Sequence, residues 1–182
     1  MMTSNRYTHT AIALHWLMAF LLLGLFVVGL YMHELPLSPQ KLKIYSWHKW
    51  AGVSIFLLVL VRLGWRIGHR PPALPSLMPA WQQSAAHGLH FLLYLLIIAI
   101  PLSGWLMSSA KGFQTVWFGV LPLPDLIGKD KELGKILEEV HSILNFGLVA
   151  LVIVHAAAAL KHHWVDKDDV LSRMLPFRQA KH

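Results

Sequence analysis

The sequence contains no cysteine, which excludes disulfide bridges, covalently attached c-type haem and thiolate-held iron–sulfur clusters. Charge is scarce too. Only 14% of the 182 residues are Asp, Glu, Lys or Arg, against about a quarter in a soluble domain. There is no internal repeat, no low-complexity segment, no phosphate-binding loop and no Ser/His/Asp arrangement, so no residue receives a catalytic role from sequence. What is present is hydrophobic residue, 55% of the chain.

The missing charge is concentrated in long runs. Ala11 to Met32 is 22 residues without a charge, Ser84 to Ala110 is 27, and Val140 to Leu160 is 21. Each is long enough to cross a bilayer as a helix. A fourth run, Trp50 to Val61, is apolar but is preceded by Lys49 and interrupted at its far end by Arg62 and Arg66. It reads as a span from about Ile44 to Ile67 with both arginines snorkelling to the interface. The expected fold is an all-α membrane protein, one four-helix bundle over residues 1–182 with spans at about 11–32, 44–67, 84–110 and 139–163. The first span is too long for a signal peptide, and Gly29-Leu30-Tyr31 is not a small-residue cleavage site.

The net charge of +7 does not indicate nucleic acid in a chain this apolar; basic residues flanking spans are topology signals. Four spans place both termini on one side, with Arg6, Arg62, Arg66, Arg70, Lys161, Lys167, Arg173, Arg178 and Lys181. The opposite side carries Lys41, Lys43, Lys49, Lys111, Lys129, Lys131 and Lys135. Every arginine falls on the first side, so the positive-inside rule puts both termini in the cytoplasm. Pro71, Pro72 and Pro75 make the second connection extended, and the charged pattern Lys129 to Glu139 reads as an interfacial helix leading into the fourth span.

Histidines carry the chemistry. His141 and His155 are 14 residues apart on the fourth span, which returns a helix to within about 40° of the same face and separates the rings by about 21 Å along its axis. Two metal macrocycles stacked across a membrane need such a helix. By depth, His15 faces His155 at the inner level, and His48 faces His141 at the outer level. Two neutral imidazoles fill both axial positions of a haem iron, leaving a centre that moves single electrons. Gly52, four residues after His48, would let a porphyrin approach the backbone.

A lone intramembrane histidine is often a helix contact or a proton relay, but four that pair by depth argue for ligands. His87 and His90, three residues apart and so expected on one face, compete for the inner ligand role; a supporting or quinone-side role is preferred for them. His162 and His163 read as a solvated helix end, and His9, His33, His69 and His182 as interface or tail residues. Glu138 and His141 form half of a di-iron motif without a partner motif, and His33-Glu34 lacks zinc-protease spacing. Trp16, Trp47, Trp50, Trp65, Trp105 and Trp164 read as an aromatic belt.

The segments "ALHWL" around His15, "WHKWAG" around His48, "VRLGWRIGHRPPALP", and "VHAAAALKHHWVDKDDVLSRM" from His155 resemble the bacterial cytochrome b561 family of di-haem membrane proteins. The resemblance covers nearly the whole chain. It implies two haems b, one held by His15 and His155 and the other by His48 and His141, in a bacterial inner membrane. It also implies linkage to ubiquinone and, in one branch, oxidation of superoxide at the periplasmic surface. A quinone carbonyl at the membrane boundary needs donors, for which His162, His87 and Trp16 are candidates; Lys41, Lys43, Lys49 and Lys111 are candidates for steering a small anion. Two alternatives stand: a haem-bearing anchor subunit that relays electrons for a partner dehydrogenase or hydrogenase, docking through Lys129 to Glu139, and a haem-free transporter using its histidines as a proton relay.

Overall fold

Thr8 opens the first helix: its backbone is extended and its hydroxyl accepts a hydrogen bond from the Ala11 amide at 3.2 Å. In the computed structural model, which describes residues 6–76 and 78–176, this helix, α1, runs His9–Glu34. Arg178, Lys181 and His182 lie outside the described residues. Ser38 caps α2 (Pro39–Gly68), and Pro39 occupies the first position, where its missing N–H costs nothing. Then follow α3 (Ala80–Ala110) and α4 (Lys131–Lys161). The Asp130 carboxylate starts α4 by accepting from the Glu132 and Leu133 amides, both at 3.0 Å. Each helix is long and apolar enough to cross a membrane.

Caps, rather than hydropathy, set the helix ends. α2 and α4 therefore begin earlier than the expected spans, at Pro39 and Lys131 rather than near 44 and 139; α3, which follows Pro79 without a side-chain cap, begins at Ala80 rather than near 84. The Lys129–Glu139 pattern is not a separate interfacial helix. From Lys131 it forms the first turns of α4, because no proline interrupts the ladder between Asp130 and the apolar run.

Packing runs α1 on α2, α2 on α3 and α3 on α4. Met18, Ile55 and Val59 knit the first three helices together, and Leu93, Ile100 and Leu148 join α3 to α4, with Leu22 against both groups. Phe26 of α1 meets Phe146 of α4 edge-on at 5.7 Å. Phe20, Leu23, Phe91, Ile143 and Ile153 are all exposed, so apolar residues cover the outside as well as the inside. Helices apolar all round belong in lipid.

Chain packs against both ends of the bundle, termed outer and inner after the expected orientation. At the outer end, β1 (Val116–Trp117) pairs antiparallel with β2 (Leu121–Pro122), a hairpin the sequence reading did not anticipate. Phe118 (φ 49°) and Gly119 (φ 72°) are its central turn residues, both left-handed as a tight hairpin requires. The hairpin is fixed to α2: the Trp50 indole donates to the Val116 carbonyl (2.6 Å), and the Trp117 indole to the Trp50 carbonyl (3.2 Å). Several tryptophans of the expected belt thus donate their N–H to protein carbonyls, as half-buried indoles must.

At the inner end, α4 passes into a π-helical turn (His162–Asp166), and the following segment folds back on the bundle. Arg6 donates to the Leu175 carbonyl at 3.0 Å, and Trp16 to the Met174 carbonyl at 2.9 Å. Buried Arg173 pairs with Asp169 at 2.7 Å and donates to the Ala73 carbonyl at 2.5 Å, tying the tail to the α2–α3 connection. Removing it takes away an ion pair and a hydrogen bond between distant segments. Arg173→Ala is expected to cost about 2–4 kcal/mol, read as a lower thermal midpoint in detergent.

Candidate haem-binding site

Between the helices, four imidazoles meet in two pairs. At the outer level the ring centroids of His48 (α2) and His141 (α4) are 6.4 Å apart, with planes at 76°. At the inner level those of His15 (α1) and His155 (α4) are 6.3 Å apart, with planes at 61°. Imidazole–metal bonds of about 2.0–2.1 Å, with about 1.1 Å more from nitrogen to ring centre, require a centroid separation of about 6.3 Å for a metal held between two rings. Both pairs meet that spacing. His90, the competitor on α3, lies 5.2 Å from His155, short of the spacing of two rings in line across a metal.

The surroundings of the rings fit a ligand role as well. His141 Nδ1 lies 3.1 Å from the Ile100 carbonyl and 2.9 Å from Ser103 Oγ, while Ser103 Oγ itself donates to Ile100 (2.8 Å). That hydroxyl proton is already used, so His141 Nδ1–H is the donor and Nε2 keeps a free lone pair. His48 Nδ1 is buried with no hydrogen-bond partner among the described residues, so that imidazole is not committed to a protein contact. Such a group is costly unless something else claims the ring. Two glycines face these rings: a Cβ on Gly104 would sit 3.1 Å from His141 Cε1, and one on Gly29 would sit 3.5 Å from His48 Cε1. At Gly52 no atom lies within 4 Å of the Cβ position.

The inner level differs in one respect that the sequence reading missed. Arg62 does not snorkel away. Its Nε donates to the Tyr94 hydroxyl (3.0 Å), Nη1 donates to the Ala11 carbonyl (3.2 Å), and Nη2 lies 3.4 Å from His15 Nδ1. A guanidinium has five N–H donors, and α1 and α3 both place polar groups within its reach. His87 and His90 also separate, although three residues apart. His90 turns inward, with Nδ1 donating to the Ala86 carbonyl at 2.8 Å, whereas His87 is exposed. Three residues are about 60° short of a full turn, enough to divide a pair at the edge of a face.

The quinone candidates fall in different settings. His162 is no solvated helix end; Asp168 (2.6 Å) and Asp166 (3.1 Å) hold its Nδ1, and its side chain is largely buried. Trp16 is bonded to Met174, and its ring meets His15 edge-on at 5.5 Å. Each proposed steering lysine has a local contact. Lys41 donates to the Leu35 carbonyl (2.5 Å), Lys43 lies over the Trp47 ring (5.1 Å), Lys49 donates to Phe113 (3.0 Å), and Lys111 pairs with Glu138 (2.5 Å). That last pair also occupies the carboxylate of the half di-iron motif. His33 lies beside Glu34, and His69 stacks on Trp65 at 4.0 Å.

The fold defines the class first: a multi-pass helical membrane protein whose histidines face one another across its interior. The comparisons give the rest. The family model described as prokaryotic cytochrome b561 matches residues 6–177. Cytochrome b561 homolog 2 of Escherichia coli K12 is 36% identical over 175 residues, covering 95% of this chain and 93% of that one. Cytochrome b561 homolog 1 of the same organism is 32% identical, covering 96% and 99%. A probable superoxide oxidase CybB of Yersinia pestis is 30% identical over 182 residues, covering 97% and 99%. The chain belongs to the prokaryotic cytochrome b561 family, and so to the haem b membrane proteins of electron transport.

Proposed function

We propose that this protein is a two-haem b oxidoreductase of the bacterial inner membrane, passing single electrons from superoxide at the outer face to ubiquinone, with both termini in the cytoplasm. The observation that carries this reading is two imidazole pairs, with ring centroids 6.3 and 6.4 Å apart, set one above the other along α4. His15 and His155 would hold the inner haem, His48 and His141 the outer. When bound, haem b supplies one-electron oxidation and reduction at iron.

The chain's own residues do the rest. Ser103 and the Ile100 carbonyl fix the tautomer and orientation of His141. The hairpin, pinned by Trp50 and Trp117, covers the outer ends of the helices. The α2 start and the α3–α4 connection carry Lys41, Lys43, Lys49 and Lys111, a basic rim that would attract an anion. At the inner boundary His162 stands near the C-terminal segment, where a quinone carbonyl would find a donor, while the single N–H of Trp16 is already given to Met174. In the overall reaction two superoxide anions each lose one electron and leave as dioxygen, while one ubiquinone gains two electrons and two protons.

The test is superoxide-driven reduction of a short-chain ubiquinone by the purified protein. Turnover that falls as ionic strength rises from about 10 to 150 mM, where the screening length shrinks from about 30 to 8 Å, is expected. A haem-loaded protein that reduces no quinone with superoxide would exclude this activity and favour the electron-relaying anchor.

A further inference from the structure

Arg62 is the charge that the membrane interior has least reason to tolerate. It lies six residues before the end of α2, roughly 9 Å inside that end. Its guanidinium is always protonated. Yet within α1, α2 and α3 the only acidic residue is Glu34, at the opposite end of the bundle. Arg62 is in none of the ion pairs of the described residues; a phenol and a carbonyl, both neutral acceptors, hold it, and its Nη2 lies 3.4 Å from His15 Nδ1. Arg66 adds a second cation, its guanidinium carbon 5.9 Å from the Tyr94 ring, as is that of Arg62. The acids at that end of the molecule are already matched: Asp166 with Lys161, Asp168 with His162, Asp169 with Arg173.

The outer pair has no counterpart. His141 is touched by a serine hydroxyl and a backbone carbonyl, and His48 Nδ1 by no hydrogen-bonding group among the described residues. Reducing an iron centre adds one negative charge. A fixed cation beside one site and not the other, in a low-dielectric interior, stabilises that added charge selectively.

We infer that Arg62 is a positioning residue for electrons: clamped between Ala11, Tyr94 and His15, it favours the reduced form at the inner site and so draws electrons inward from the outer pair. This rests on the two-haem reading above. Tyr94 and Ala11 are part of the device, because without them the long arginine side chain could withdraw to the interface.

The experiment is a spectroscopic redox titration of the haem-loaded protein and of Arg62→Gln, Arg62→Lys and Tyr94→Phe, the inner wave being the one that His155→Ala abolishes. In Arg62→Gln the inner ratio of reduced to oxidised haem at fixed potential is expected to fall at least tenfold, a downward shift of about 59 mV for one electron, with the outer wave unmoved. Arg62→Lys, which keeps the charge, restores most of that loss, and Tyr94→Phe lowers the inner wave by a smaller amount. Two retained haems with an unmoved inner wave in Arg62→Gln would overturn the proposal. If Arg62→Gln sheds its inner haem, an unmoved inner wave in Tyr94→Phe overturns it. A wild-type protein without an inner haem would instead overturn the two-haem reading on which the proposal rests.

Discussion

His155→Ala is expected to bind one haem per chain instead of two, and His141→Ala likewise, each variant losing a different one. The substitution removes the only atom at its position able to donate a lone pair to a metal. It does little else. His155 is followed by Ala156, Ala157, Ala158 and Ala159 in the last turns of α4, and alanine has the highest helix propensity, so the helix continues unchanged. Haem occupancy at that level should drop below about a tenth, since even the loss of a supporting partner costs 10–100-fold in metal affinity. Haem content by pyridine haemochrome and the reduced-minus-oxidised spectrum read the result directly. His90 sharpens the test at the inner level: it is 5.2 Å from His155 and uses only Nδ1 in its bond to Ala86. An inner haem surviving in His155→Ala but lost on adding His90→Ala would reassign the ligand to His90. Full haem content in both single variants would sink the pairing at both levels, and a colourless wild type would revive the transporter.

The uncharged runs told how many helices there are because desolvation of charge is a local property, readable residue by residue. The spacing of His141 and His155 was equally local, since one rigid helix converts sequence distance into depth. Depth put His15 near His155 and His48 near His141 because long helices packed side by side run along one direction. What the sequence left hidden depends on neighbours in space. Nothing in "VRLGWR" says that Arg62 would find Tyr94, 32 residues away, or the Ala11 carbonyl on another helix. His87 and His90 fit either edge of one face, and only the packing of α3 in the bundle separates exposed His87 from inward His90. The hairpin was concealed for another reason: two-residue strands carry no periodicity, and its turn is made by Phe118 and Gly119 rather than by an Asn-Gly pair.

Gly104 offers a separation of site from fold. A Cβ there would lie 3.1 Å from His141 Cε1 and 3.4 Å from Nδ1, tighter than ordinary contact. The imidazole has little room to withdraw, because Nδ1 is held by the Ile100 carbonyl and Ser103 Oγ, within one turn of Gly104 on the same helix. Any extra volume on Gly104 therefore turns the ring instead of being absorbed elsewhere. In Gly104→Ala the helix gains up to about 1 kcal/mol of intrinsic preference, so the fold should hold while the outer haem binds several-fold more weakly. In Gly104→Val the added γ-carbons enter the ring's own space, costing about 1–3 kcal/mol in overpacking. The outer haem should then be lost at least tenfold more readily, with the inner haem unaffected. Gly64→Ala is the control, with no atom within 4 Å of its Cβ position and only the helix preference to gain. Haem content and thermal midpoint, measured on all three, distinguish the explanations. Loss of both haems in Gly104→Val would mean a general failure of packing. Loss of the outer one alone would mean that the glycine is there for the histidine, and that the orientation of one ring, fixed from α3, decides whether the outer level can hold its cofactor.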